Sequence, residues 1–151
     1  MAIMSDTSFK ELSWESKEHD WTGKSFYFIP IMNVFGKPLS LGNKFEELNR
    51  ELRMNGYRTL NSMILVQAAT FKGRIMVEVE KLDKYDSQVI TFDDTTTADT
   101  IVHKGSSGSL GSDVKRLQQR FASRRGMNPK DIYYWHIDGP GSDRAVLFAV
   151  S

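Results

Sequence analysis

The stretch "VHKGSSGSLGSDVKRL", Val102 to Leu117, decides how this chain is read. Gly105, Gly108 and Gly111 recur at three-residue steps, and a charged, periodic segment follows. It is either a phosphate cradle at a helix start or a turn that launches a helix. A cradle needs several converging backbone N–H groups, usually with a lysine at the helix N-terminus. Neither G-x-x-x-x-G-K-[ST] nor G-x-G-x-x-G is present. A shift of 69 positions, taken from the sequence, lays "VFGKPLSLGNKFEEL" on this stretch without a gap. Gly36 meets Gly105, Ser40 meets Ser109, Leu41 meets Leu110, Gly42 meets Gly111 and Leu48 meets Leu117. The upstream copy has Pro38 and Leu39 where the loop has Ser107 and Gly108, so the shared pattern is G-x-x-x-S-L-G before a helix. A structural turn is the preferred reading. Only the N–H groups of Ser112 and Asp113 would then attract an anion.

Outward from the two turns, both copies carry the same order of elements. Leu41, Phe45, Leu48 and Leu52 fall on one helical face, as do Leu110, Val114, Leu117 and Phe121. Asn43 with Glu46 forms a candidate capping box, with Ser40 as a competing cap. Gly56 and Gly126 suit the left-handed position after each helix. "SFYFIPIMNVF" precedes the first helix as a strand, with an edge or bulge expected at Pro30. "NSMILVQAATF" and "GRIMVEVEKL" follow it. "QVITF" is a short strand between the copies. "TTTADTIVH" precedes the second helix, and "DIYYWHI" and "RAVLFAV" follow it around the turn "DGPGSD". The expected fold is α+β: a duplicated βαββ unit with pseudo-twofold symmetry, an antiparallel sheet and two main helices. The copies run about 26–81 and 95–150. Residues 25–151 form one domain, and 1–24 are an N-terminal extension carrying Trp14 and Trp21.

Composition narrows the function classes. The chain has 151 residues, 40% hydrophobic and 26% charged, with a net charge of +1, so no global field favours nucleic acid. With no cysteine there is no disulfide framework, thiolate metal site or thiol nucleophile. The N-terminus holds no signal-like apolar run, and no stretch approaches the ~20 apolar residues of a membrane span. A cytoplasmic protein without a membrane partner is expected. His19, His103 and His136 lack ligand spacing, so neither a metal nor another cofactor is expected.

The stretches "NVFGKPLSLGNKFEELNRELRMNGY" and "IVHKGSSGSLGSDVKRLQQRFASRRGM", with the ending "YYWHIDGP…AVLFAV", resemble the gyrase-inhibitor-like (GyrI-like) effector-binding domains of the SOUL superfamily. The resemblance spans roughly Phe26 to Val150. It implies two βαββ repeats with a pocket between them that takes lipophilic, often cationic, small molecules. Some relatives hydrolyse strained alkylating toxins, and one group binds DNA gyrase. Many multidrug-binding relatives place a glutamate on the strand before the closing turn and a tyrosine two positions later. Aligned on "IDGP", those positions hold Tyr134 and His136, so the family's acid is missing.

Strand alternation puts Tyr133, Trp135 and Ile137 on one face of "IYYWHI", and Tyr134 and His136 on the other. The shift of 69 pairs Tyr134 with Leu65 and His136 with Gln67. Glu78 and Glu80 alternate against Val77 and Val79 and are placed on the same open face. The candidate pocket wall is therefore Leu65, Gln67, Glu78, Tyr134, His136 and Phe148. If residues 1–24 fold across it, a tryptophan serves as a lid. The first expectation is a stand-alone, non-catalytic module that binds a lipophilic or cationic small molecule. Two alternatives stay open. One is a hydrolase in which Glu78 or His136 orients water. The other is a protein-interaction module using the basic helix face of Lys115, Arg116, Arg120 and Arg124.

Overall fold

Aromatic and β-branched runs become strands, and the two periodic segments become helices. The computed structural model describes residues 11–35, 37–105, 109–139 and 143–151. The Ser-Gly loop at 106–108 and the centre of the closing turn at 140–142, on which the sequence reading also touched, lie outside the described residues. The strands are β1 (Lys17–Asp20), β2 (Ser25–Val34), β3 (Lys37–Pro38), β4 (Leu65–Gln67), β5 (Lys72–Val79), β6 (Val89–Thr91), β7 (Thr97–Lys104), β8 (Asp131–His136) and β9 (Arg144–Val150). The helices are α1 (Leu41–Met54) and α2 (Leu110–Arg125). The protein is α+β, with one nine-stranded antiparallel sheet in the order β1-β7-β9-β8-β4-β5-β2, and with β6 and β3 both on β2.

Local chemistry explains several boundaries. Pro30 lies opposite Arg74 in an unbroken β2–β5 ladder. The Phe28 N–H, two residues earlier, points away from β5 and donates to the Gln88 carbonyl. Pro30's missing donor therefore falls on the outer edge, between the stretches paired with β6 and β3. Gly56 takes φ 73° after α1. The Tyr57 and Gly56 N–H groups donate back to the carbonyls of Leu52 and Arg53, closing a Schellman motif. The Asn43–Glu46 capping box does not form. Helix α1 starts one turn earlier, at Leu41 after Ser40, which adopts φ 52° and makes no side-chain cap.

Both faces of the sheet are apolar. On one, Tyr27, Ile29, Val66, Ile75, Val77, Tyr134 and Leu147 pack against Leu48 and Leu52 of α1 and Leu117 and Phe121 of α2. On the other, Phe26, Leu65, Met76, Tyr133, Val146 and Phe148 pack against Trp21, with Trp14 and Trp135 alongside. This corrects the face assignment made from the sequence. Tyr134 points towards the helices, whereas Leu65, its partner under the shift of 69, points to the opposite face. A register error of one residue reverses every side chain of a strand. The gapless shift aligns the starts of the two helices, Leu41 with Leu110, but is one residue out between β4 and β8 and again between β5 and β9, where helix-side Val77 falls on Val146 of the opposite face.

Helix α2 is fastened to β7 at both ends. Asp99 is 0% exposed, and its Oδ1 lies 2.7 Å from Arg125 Nη2, with Arg125 Nε 3.4 Å from Oδ2. At the other end His103 Nδ1 lies 2.6 Å from Asp113 Oδ2. Arg125 also reaches Glu18 of β1 at 2.7 Å, so one guanidinium joins helix, sheet and edge strand. Removing one partner of a buried pair leaves an uncompensated charge, whereas replacing both does not. Arg125→Met is expected to lower unfolding stability in urea by about 3 kcal/mol, and Asp99→Leu combined with Arg125→Met to recover most of that loss. An additive double variant contradicts the pairing.

Candidate functional site: an aromatic cavity under the N-terminal segment

The face of the sheet away from the helices is covered by residues 14–24. Strand β1 adds to the edge of β7, from Lys17 opposite Thr100 to Asp20 opposite Thr97. Its four side chains are polar, and the edge pairing brings the two flanking tryptophans over the sheet. The Trp21 ring lies 4.9 Å from Phe26, 5.7 Å from Phe148 and 6.4 Å from Tyr133. Trp14 meets Trp135 and Phe148 edge-on, each at 5.7 Å. Such pairs add to the large apolar area each ring buries.

Between this cover and the sheet is a cavity of about 370 Å³. Its apolar lining is Trp14, Trp21, Phe26, Met63, Leu65 and Phe148. Its polar lining is Glu18, His19, Asp20, Lys24, Asn61 and Glu78. Glu78 is held from two sides: Lys24 Nζ lies 3.0 Å from Oε2, and Asn61 Nδ2 donates to Oε1 at 3.1 Å. The Glu78 side chain is 13% exposed and that of Lys24 35%. Asn61 is itself fixed, because its Oδ1 accepts the Met63 N–H at 2.9 Å. Three carboxylates therefore line the cavity against one lysine, with Glu18 drawn away to Arg124 and Arg125.

His19 joins the cover to the sheet. Its ring stacks 4.9 Å from Trp14, and Nε2 lies 3.1 Å from Thr100 Oγ1. The Thr100 hydroxyl donates its one proton to the Trp14 carbonyl at 2.6 Å, so His19 donates from Nε2. Burial pushes the imidazole below its ordinary pKa, with Lys24 acting in the same direction and Asp99 against it.

The six candidate wall residues divide between the two faces. Leu65, Glu78 and Phe148 line the cavity. Gln67 shares their side of β4 but lies outside the lining, with its amide donating to Asp131 Oδ1 at 2.9 Å. Tyr134 is buried among helix-side residues, where desolvation pushes its hydroxyl up to about 12. His136 lies beside it, ring to ring at 5.0 Å, and borders a smaller hollow with Phe45 and Ile64. Tyr134 and His136 therefore do not join Glu78, and no single water could be shared by Glu78 and His136. Glu80 is exposed, 3.7 Å from Arg58. On the basic helix, Arg116 meets Asp113, Arg120 meets the Ser16 carbonyl and Arg124 meets Glu18, so these three charges serve intramolecular contacts.

Lys24, Asn61 and His19 were not singled out as site residues from the sequence. Their roles depend on long-range register, and only the two tryptophans signalled that the segment had apolar surface to cover. Among the described residues, no three His, Asp or Glu side chains come together as a metal site requires. No family model matches the chain, and comparison with curated proteins and with solved structures finds no match.

Two outcomes follow from this geometry. Trp21→Ala is expected to lower unfolding stability by about 3–5 kcal/mol, the usual cost of deleting a buried aromatic, measured by chemical denaturation. An effect near zero contradicts a structural cover. For His19 the folded-state pKa is the depressed one, so the unfolded chain takes up its proton first as pH falls. Stability is unaffected by this group above about pH 6.5 and falls below it. The His19→Gln variant is expected to flatten that part of the stability–pH curve; an unchanged slope contradicts the assignment.

Proposed function

We propose that this protein binds a lipophilic, cationic small molecule in the cavity between the N-terminal cover and the sheet. The observation that carries this reading is the pairing of an aromatic enclosure with a carboxylate whose only cationic partner among the described residues is a partly exposed lysine. Aromatic faces attract a cation by about 0.5–2 kcal/mol each, more when desolvated, and a flat apolar ligand gains area against Trp14, Trp21, Phe26 and Phe148. Glu78 then supplies the charge. In the free protein Lys24 occupies the place a ligand cation would take, so the site is held closed by a tethered competitor.

The resemblance to gyrase-inhibitor-like effector-binding domains belongs to the same reading, as does the duplicated βαββ architecture with pseudo-twofold symmetry. Three features support the duplication. Each helix follows the outer strand of its half. The strand orders β2-β5-β4 and β7-β9-β8 mirror one another. The halves meet through β4 and β8, with Val66 opposite Tyr134. The acid of this site sits on β5, not on the strand preceding the closing turn where many relatives carry it. A role as a binding module suits the site better than hydrolysis, because Glu78 is fixed by Lys24 and Asn61 and His136 lies on the other side of the sheet.

The test is a titration followed by tryptophan fluorescence, using tetraphenylphosphonium and a neutral tetraphenyl analogue. Saturable quenching by the cation is expected. Glu78→Gln should weaken it about tenfold, the equivalent of roughly 1.4 kcal/mol. Lys24→Met should strengthen it, and the neutral analogue should respond to neither change. Absence of a saturable signal in the wild-type protein and in Lys24→Met would sink the proposal.

A further inference from the structure

A second surface lies at the corner of the sheet formed by the far end of β2, β3 and the turn before β5. The side of β2 that carries Phe26 under the cover continues outward with Phe28, Pro30, Met32 and Val34. Pro30, Met32 and Val34 are exposed. At the tip, Phe35 is 82% exposed and takes φ 49°, a backbone region that bulky residues seldom adopt. Its ring meets that of Phe71, itself 54% exposed, at 5.8 Å. Leu39 is also exposed and is tied to the same place by its N–H bond to the Met32 carbonyl. Large apolar side chains gathered in water in this way mark an interaction site.

Charge identifies what the corner fits. Lys37 lies opposite Val34 and Lys72 opposite Met32, and both lysines are exposed. The two segments that converge here, 21–45 and 52–77, contain no Asp or Glu. A second copy of the chain, paired through the same patch, would bring these lysines against themselves. Single-stranded nucleic acid needs accessible ring faces for stacking. Here the two rings stand at 60° to each other, which is not the parallel platform that successive bases stack on, and most of the exposed apolar side chains, Met32, Val34 and Leu39, are aliphatic. An apolar tip rimmed by lysines matches the boundary between acyl chains and acidic headgroups.

We infer that this corner docks on an anionic lipid surface, with Phe35 and Phe71 entering the interfacial layer and Lys37 and Lys72 meeting the headgroups. The expectation of no membrane partner rested on the lack of a spanning run, and among the described residues no helix is long and apolar enough to cross a membrane. Docking at the surface needs no such helix. The inference is independent of the ligand reading, because the corner shares none of the residues that line the cavity except through the continuity of β2.

The experiment is co-sedimentation of the full chain with phosphatidylcholine vesicles, with and without about one third phosphatidylserine. Binding is expected only where phosphatidylserine is present. Lys37→Glu and Lys72→Glu should each weaken it roughly fivefold at low salt, and Phe35→Ser with Phe71→Ser about tenfold or more. The aromatic substitutions fall at exposed positions, so the far-UV spectrum and melting temperature should hold; if they do not, the two lysine variants decide alone. No sedimentation with either vesicle overturns the inference. So does sedimentation indifferent to all four substitutions. A patch-dependent change in oligomeric state or in oligonucleotide binding without vesicle binding overturns it as well.

Discussion

A sheet that is apolar on both faces has to be covered twice, and the rest of this structure follows from that requirement. Strand β9 buries Val146 and Phe148 on one side and Leu147 and Ala149 on the other. Helices α1 and α2 cover the second set with the evenly spaced faces of Leu48, Leu52, Leu117 and Phe121. Among the described residues no further long helix remains for the first set. The cover is made instead by Trp14 and Trp21, two large rings that flank a short polar strand at the sheet edge. Few residues can do this because each tryptophan covers so much area.

Such a cover leaves a gap, and the gap is the cavity lined by Trp14, Trp21, Phe26 and Phe148. Two rings cannot tile a broad sheet surface without leaving space, and polar groups enter that space because water reaches them. Glu78 is the consequence. It alternates with buried Val77 and Val79, so its carboxylate must face the covered side, where Lys24 and Asn61 meet it. The connection from His19 through Thr100 to the Trp14 carbonyl fixes the cover to β7, while Arg125 fixes the same edge strand to α2. Cavity, edge strand and helix are thus mechanically joined.

Much of the framework was legible in the sequence because it is written in short-range periodicity. The helical faces, the strands "RAVLFAV" and "DIYYWH", the αL glycine after α1 and the edge at Pro30 need only local spacing. Strand β1, "KEHD", was not legible: it is polar throughout and forms by pairing with a strand some eighty positions away. The candidate site was half legible. Glu78 was placed on the cavity side through alternation within its own strand, whereas Leu65 and Gln67 entered the wall only as the partners of Tyr134 and His136 under the shift of 69. Tyr134 and His136 were grouped by alternation within β8, which separates the two faces of a strand but does not say which face the helices cover, and the shift that tied them to Leu65 and Gln67 is one residue out. Lys24 carried no signal, because an isolated lysine gives no sign of the carboxylate it will meet.

Amide hydrogen exchange across residues 17–24 tests the central claim most directly, because it reads whether the cover belongs to the folded core. The account expects the amides of β1 paired with β7, and the Trp21 N–H bonded to the Thr96 carbonyl, to be protected together with the β7 amides. Exchange of this segment at the rate of an unstructured peptide, while β9 stays protected, would contradict it.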